Sequence, residues 1–187
     1  VYASDGNLYR SSPFFWAFRD AARASGIDDV RALNPLGLGG GGWSDAVFAV
    51  TDALPFFEVG VADHVIEAAE SAAGGTLRSE VEIRLKIFEG ALSLPPSRST
   101  MTTTSTFRAA SDTTLELTVD KTEVKESSLA QIPGFAALDT FAFPSRQLFD
   151  TVAPSAGGVN LELIYLTPSL RISRELVNGV LFIHTKV

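Results

Sequence analysis

The sequence predicts a mainly β domain of the α+β class, an antiparallel barrel or sandwich preceded by an N-terminal helical segment. Three observations carry this. Beyond residue 57 apolar residues recur with a period of two, turn-forming residues separate the runs, and the stretch before residue 57 is rich in Ala, Phe, Gly and Asp with a clear helix start. The helical segment and its glycine-rich connector occupy residues 1–56, and the barrel occupies 57–187.

The first element is a helix opened by Ser12-Pro13. A hydroxyl residue suits the cap position, and Pro suits the first helical position, where its missing N–H costs nothing. It runs to about Ser25, and Gly26 supplies the stop. Phe14, Phe18 and Ala22 form one stripe at four-residue spacing, while Phe15 and Trp16 project elsewhere, so the helix is too aromatic for a single buried face. Residues 36–42 form a glycine-rich connector. Ser44 or Asp45 then caps a second short helix through about Leu54, ended by Pro55.

The strands follow. Residues 57–66 read as the first, although Val61 to Ala73 has helix-forming composition. Val81, Ile83, Leu85 and Ile87 alternate with Glu82, Arg84 and Lys86, giving one buried and one wet face. Thr100 to Phe107 is a run of Thr, Ser and Met whose β-branched side chains favour strand. Leu115, Leu117 and Val119 repeat the alternation, as do Val159, Leu161, Leu163 and Tyr165. Between Ser127 and Val152, Pro133, Pro144 and scattered Phe predict a loop over one end of the sheet. Residues 170–174 and 180–187 flank Asn178-Gly179, a hairpin turn signal. Seven or eight strands result.

Composition narrows the chemistry. The chain has 187 residues, enough for one domain with its own core, and no Cys, which removes thiol nucleophiles, disulfides and thiolate metal sites. His64 and His184 are the only histidines. Lys and Arg number 15 against 22 Asp and Glu, a net charge of −7, so no basic footprint for nucleic acid exists. The longest apolar stretch, Ala46 to Phe57, is broken by Thr51, Asp52 and Pro55 and falls short of the roughly 20 residues of a membrane span. The chain opens on Val1 without a signal-like segment, so a targeting peptide is expected to be missing from it.

Few constellations suggest chemistry. Gly37, Gly39 and Gly42 match a dinucleotide-binding spacing, but no strand precedes them and no βαβ unit follows, which favours a connector. There is no G-x-S-x-G elbow. Glu80, Glu82, Glu116 and Glu162 lie on outer strand faces opposed by Arg78, Arg84 and Lys86, the pattern of solvated ion pairs rather than of an acid/base pair. His184 falls in an alternating terminal strand where a structural role suffices. Phe14, Phe15, Trp16 and Phe18 admit two readings: packing against the barrel and second helix, or docking to lipid or to a membrane-protein partner.

The C-terminal run Leu163-Ile164-Tyr165-Leu166, Leu170-Arg171-Ile172-Ser173-Arg174 and Asn178-Gly179-Val180-Leu181-Phe182 resembles the closing signature of the plastid lipid-associated proteins, the fibrillins or plastoglobulins. Residues 12–19, Phe57-x-Val59-Gly60, residues 80–87, Met101-Thr102-Thr103-Thr104-Ser105 and residues 119–127 agree in order, so the resemblance spans nearly the whole chain. It implies a lipocalin-like barrel without enzymatic activity, in the chloroplast, peripheral to the thylakoid membrane or at the plastoglobule surface. A bound carotenoid, chlorophyll, quinone or lipid would contact inward Val81, Ile83, Leu85, Ile87, Leu115, Leu117, Val119, Leu161, Leu163 and Tyr165. The alternative reading, from the aromatic helix and the long loop, is an interaction subunit docked on a photosystem or light-harvesting antenna complex through Phe14, Phe15, Trp16 and Phe18 and the 127–152 loop. The chain departs from the family where an acidic stretch usually precedes the Leu-Arg-Ile-Ser-Arg: it carries Thr167-Pro168-Ser169. An acid there that orients a ligand or pairs with Arg171 would be lost. The family's usual first-strand Gln also corresponds to His64.

Overall fold

A computed structural model describes residues 2–3, 8–29, 42–46, 49, 57–69, 74–85, 97–131, 142–153, 158–177 and 179–186. Among these the chain is mainly β. The strands are β1 (Tyr2–Ala3), β2 (Phe57–Ala68), β3 (Gly74–Leu85), β4 (Ser97–Ala109), β5 (Thr114–Lys125), β6 (Ala142–Phe143), β7 (Gly158–Leu166), β8 (Leu170–Glu175) and β9 (Leu181–Thr185). They pair antiparallel in the order β1-β9-β8-β7-β5-β4-β3-β2, with β6 alongside β5, and the sheet curls into a half-barrel. Helices α1 (Pro13–Ala24) and α2 (Ser145–Val152) accompany it.

The helix-forming composition after Val61 is overridden by pairing. β2 and β3 match from Phe57↔Leu85 to Ala68↔Gly75, and cross-strand contact decides what propensity leaves open. Three bulges then shift the alternation: in β2 between Val59 and Ala62, in β5 opposite Thr104 and Ser105, and in β7 between Leu163 and Tyr165. Each extra residue exchanges the two faces of the strand beyond it. Val61 is accordingly exposed while Ala62 is buried.

The concave face is filled by α1. Trp16, Ala17 and Ala21, at helical spacing, share one core with Leu77, Leu117, Val119, Val159, Leu161 and Phe182 from the sheet. Phe15 joins a second cluster with Ala62, Val81 and Met101. The other aromatic face is covered as well. Phe14 lies 5.8 Å from Phe143 and 6.2 Å from Phe149 of α2, and Phe18 lies 5.3 Å from Trp43. The 127–152 stretch, expected to be a loop, therefore includes β6, α2 and a short 3-10 turn at Ser128–Gln131. Burying Phe149 against α1 is what makes a helix there worthwhile.

Ser12 occupies the cap position of α1 but makes no side-chain cap. Its hydroxyl instead donates to Thr103 Oγ1 at 3.0 Å, Thr103 meets Thr122 at 3.3 Å, and Ser145 donates to Thr122 at 3.2 Å. This buried hydroxyl chain ties α1 to β4, β5 and the start of α2. The Thr-rich run of β4 thus supplies inward hydrogen bonds in addition to strand propensity.

Gly26 ends α1 with φ +74, as a stop requires. Gly75 is needed for a different reason: a Cβ there would overlap the Glu67 carbonyl oxygen and crowd the Phe107 ring. Gly75→Ala should cost about 1–3 kcal/mol, the usual range for overpacking, as measured by urea denaturation. An unchanged midpoint would show that the β2–β3 hairpin relaxes freely.

Residues 36–41, with Gly37 and Gly39, lie outside the described residues, as do Ile87 and Asn178. Of the second predicted helix, residues 43–46 are helical, and most of the rest lies outside the described residues.

Candidate functional site: a groove at the seam of the half-barrel

The curl brings β2, at one end of the sheet, against β8 and β9 near the other. On β8 the inward positions are Arg171, Ser173 and Glu175, all buried, and on β9 they are Phe182 and His184. The register pairs Arg171 with His184 and Ser173 with Phe182. From β2, His64 reaches across the seam, and its ring stacks on His184 with centroids 4.3 Å apart and planes tilted by 36°.

Hydrogen bonding fixes the protonation of His64. Nε2 lies 3.0 Å from the carbonyl oxygen of Ser11, which only accepts, so Nε2 carries the proton. Nδ1 is then the acceptor for Arg171 Nη2 at 2.7 Å. The ring is neutral, with both nitrogens in use. Burial, reinforced by the Arg171 charge and opposed by the Ser11 carbonyl, holds the His64 pKa down to about 3. His184 is lowered to about 2 by burial, then by His64 and Arg171. Neither of its nitrogens has a hydrogen-bond partner. Arg171 is itself lowered to about 10 by burial, and its Nε has no partner. One buried positive charge therefore stands between two neutral imidazoles.

Outside this cluster the seam opens into a groove of about 600 Å³. Its apolar walls are Val65 and Ile66 of β2 and Leu166 and Leu170 flanking the β7–β8 turn, with Arg171 and His184 as polar floor. The turn Thr167-Pro168-Ser169 forms one lip, closed by Thr167 N–H to Leu170 O at 2.8 Å and Leu170 N–H to Thr167 Oγ1 at 3.0 Å. Below the histidines, between Pro13, Trp16, Leu161 and Phe182, about 10 Å³ is left, barely the space of one water.

Of the residues expected to contact a ligand inside the barrel, Val81, Leu117, Val119 and Leu161 are buried, and Ile83, Leu115 and Leu163 are half-buried. The space they face holds α1 and their own side chains. Leu85 is paired with Phe57 and Ser97. Tyr165 is 50% exposed, because the bulge at Ile164 turns the end of β7 outward. Among the signature residues, Arg171 and Ser173 face in, Leu170 and Ile172 are half-buried, and Arg174 pairs on the outer face with Glu162 at 2.6 Å. Trp16 is buried, and Phe14, Phe15 and Phe18 are half-buried in the contacts already described. The four outer glutamates each meet an Arg: Glu80–Arg78, Glu82–Arg84, Glu116–Arg108 and Glu162–Arg174. No cluster of three or more His, Asp or Glu able to hold a metal lies among the described residues.

No family model, no curated protein and no solved structure matches the chain. The seam cluster is the feature that sequence reasoning did not assemble. Its only signal was that both histidines and Arg171 occupy inward phases of strands far apart in sequence, and the closing register that joins them is a tertiary property.

Proposed function

We propose that the protein is a non-enzymatic, fibrillin-like binder of apolar small molecules, held peripherally on a lipid surface such as the thylakoid membrane or a plastoglobule. The observation that carries this reading is the seam groove. Its volume of about 600 Å³ falls within the range of ligand pockets, about 300–1,000 Å³, and an apolar wall of Val65, Ile66, Leu166 and Leu170 stands beside a larger set of polar and charged residues. We set binding at the mouth, in place of the lipocalin-like central cavity the resemblance implies, because α1 packs into the concave face of the sheet.

The rim supports the lipid contact. Val65, Ile66, Tyr165 and Leu166 are exposed apolar side chains, and Val65, Ile66 and Leu166 border the groove directly. A ligand could pass between lipid and groove without crossing water. With a net charge of −7 the attachment rests on apolar burial rather than on attraction to anionic headgroups.

Two measurements test this. Native mass spectrometry of protein taken from its source should show a bound apolar molecule, and its consistent absence would defeat the reading. In flotation with neutral phosphatidylcholine vesicles, Ile66→Asp/Leu166→Asp should reduce the bound fraction about tenfold or more, since two exposed apolar side chains lose their burial in lipid. Unchanged flotation by the correctly folded variant would exclude the rim as the attachment.

A further inference from the structure

Arg171 is 8% exposed and carries a positive charge that no carboxylate among the described residues pairs with. Burying an unpaired charge is costly, so such a group is retained where something compensates it. The lip of the groove at the β7–β8 turn is the uncharged Thr167-Pro168-Ser169. Arg171 Nε and both nitrogens of His184 are without hydrogen-bond partners and lie beneath the surface, and both residues line the groove.

We propose that the groove takes an acidic amphiphile of the fatty-acid class, its carboxylate received by Arg171 and its chain lying along Val65, Ile66 and Leu166. This rests on groove binding as proposed above, and it selects an anionic ligand over a neutral quinone or carotenoid. The charge balance favours a monoanion. One carboxylate neutralises the one buried cation and suits the planar fork of the guanidinium. A phosphate dianion would bring excess negative charge between Asp63 and Glu80 at the rim; Glu80 is occupied with Arg78 at 3.0 Å, and Lys186 is the other cation lining the groove.

The experiment is calorimetric titration of the full chain at neutral pH with oleate, oleyl alcohol, acetate and inorganic phosphate, below the micelle concentration of each lipid. Oleate should bind at least about tenfold more tightly than oleyl alcohol, the loss expected when a charge-assisted hydrogen bond is not made. Acetate and phosphate should bind far more weakly than oleate. Arg171→Met should abolish the preference for oleate and leave oleyl alcohol unaffected. Should Arg171→Met fail to fold, the imidazole resonances of His184 in the wild-type chain decide the point: they should shift with oleate and not with the alcohol. Equal binding of oleate and oleyl alcohol would overturn the headgroup assignment and leave the groove reading standing. Binding of neither would defeat both. Acetate or phosphate binding as tightly as oleate would overturn the amphiphile in favour of a small-anion site.

Discussion

Trp16→Ala should lower the stability of the protein by about 3–5 kcal/mol, the usual cost of truncating a fully buried aromatic side chain. For a chain of this size that is a fall in melting temperature of roughly 10 °C. The indole is 3% exposed, lies against Phe182 at 6.4 Å and shares its cluster with Leu117, Val159 and Leu161. Its Nε1 donates to the Arg10 carbonyl at 2.6 Å, so truncation also removes a partly buried hydrogen bond. Trp16→Phe separates the two contributions: it keeps most of the apolar contact and loses only the bond, about 1–3 kcal/mol. The consequence extends to the seam. Trp16 holds the start of α1 in the half-barrel, and Ser11, two residues before that start, supplies the carbonyl that fixes His64. A melting temperature within a degree of wild type, measured by circular dichroism, would show that α1 is not the filling of the half-barrel and would return its aromatic face to docking.

That result also bears on what could be read in the amino-acid pattern. Strand identity was legible wherever a strand has one wet face, as in residues 81–83, 115–119 and 159–161, because the period of two is a local consequence of half-burial. The bulges were not legible. A bulge depends on the partner strand's register, so Val61 and Tyr165, in phase with buried neighbours by sequence, end up outside. Four aromatic residues in five positions announced that α1 needed two covered faces. What covers the second face, Phe143 and Phe149, came from a stretch whose Pro and Phe content masks a short helix. The site was the least legible part. Arg171 was visible as a signature residue without its expected acid, but its neighbours His64 and His184 are separated by 107 and 13 positions from it, and only sheet closure makes them a cluster.

The same closure makes acid the second strong determinant of stability. Both histidines have folded pKa values far below the ordinary value of 6.5, about 3 for His64 and about 2 for His184. A depressed histidine pKa means that the unfolded chain binds protons the folded chain refuses, so stability is full above the unfolded value and falls as pH drops below it. The window runs from about pH 6.5 down towards the folded values. Each group contributes a slope of about 1.4 kcal/mol per pH unit, so by pH 5 the pair should cost about 4 kcal/mol. The groups facing the pair do not offset this. Arg171 stays charged throughout and repels a proton on either ring, and the Ser11 carbonyl already holds the Nε2 proton of the neutral form. Asp20 acts in the opposite sense: burial, then the charge of Glu175, raises its pKa, so its protonation favours the folded chain, but from the carboxylate end of the range. Urea denaturation at pH 7, 6 and 5 should therefore show a progressive loss, and His184→Phe, which removes one of the two refusing groups, should halve the slope. A flat stability profile from pH 7 to 5 would mean that the two histidines take up protons as readily in the folded chain as in the unfolded one.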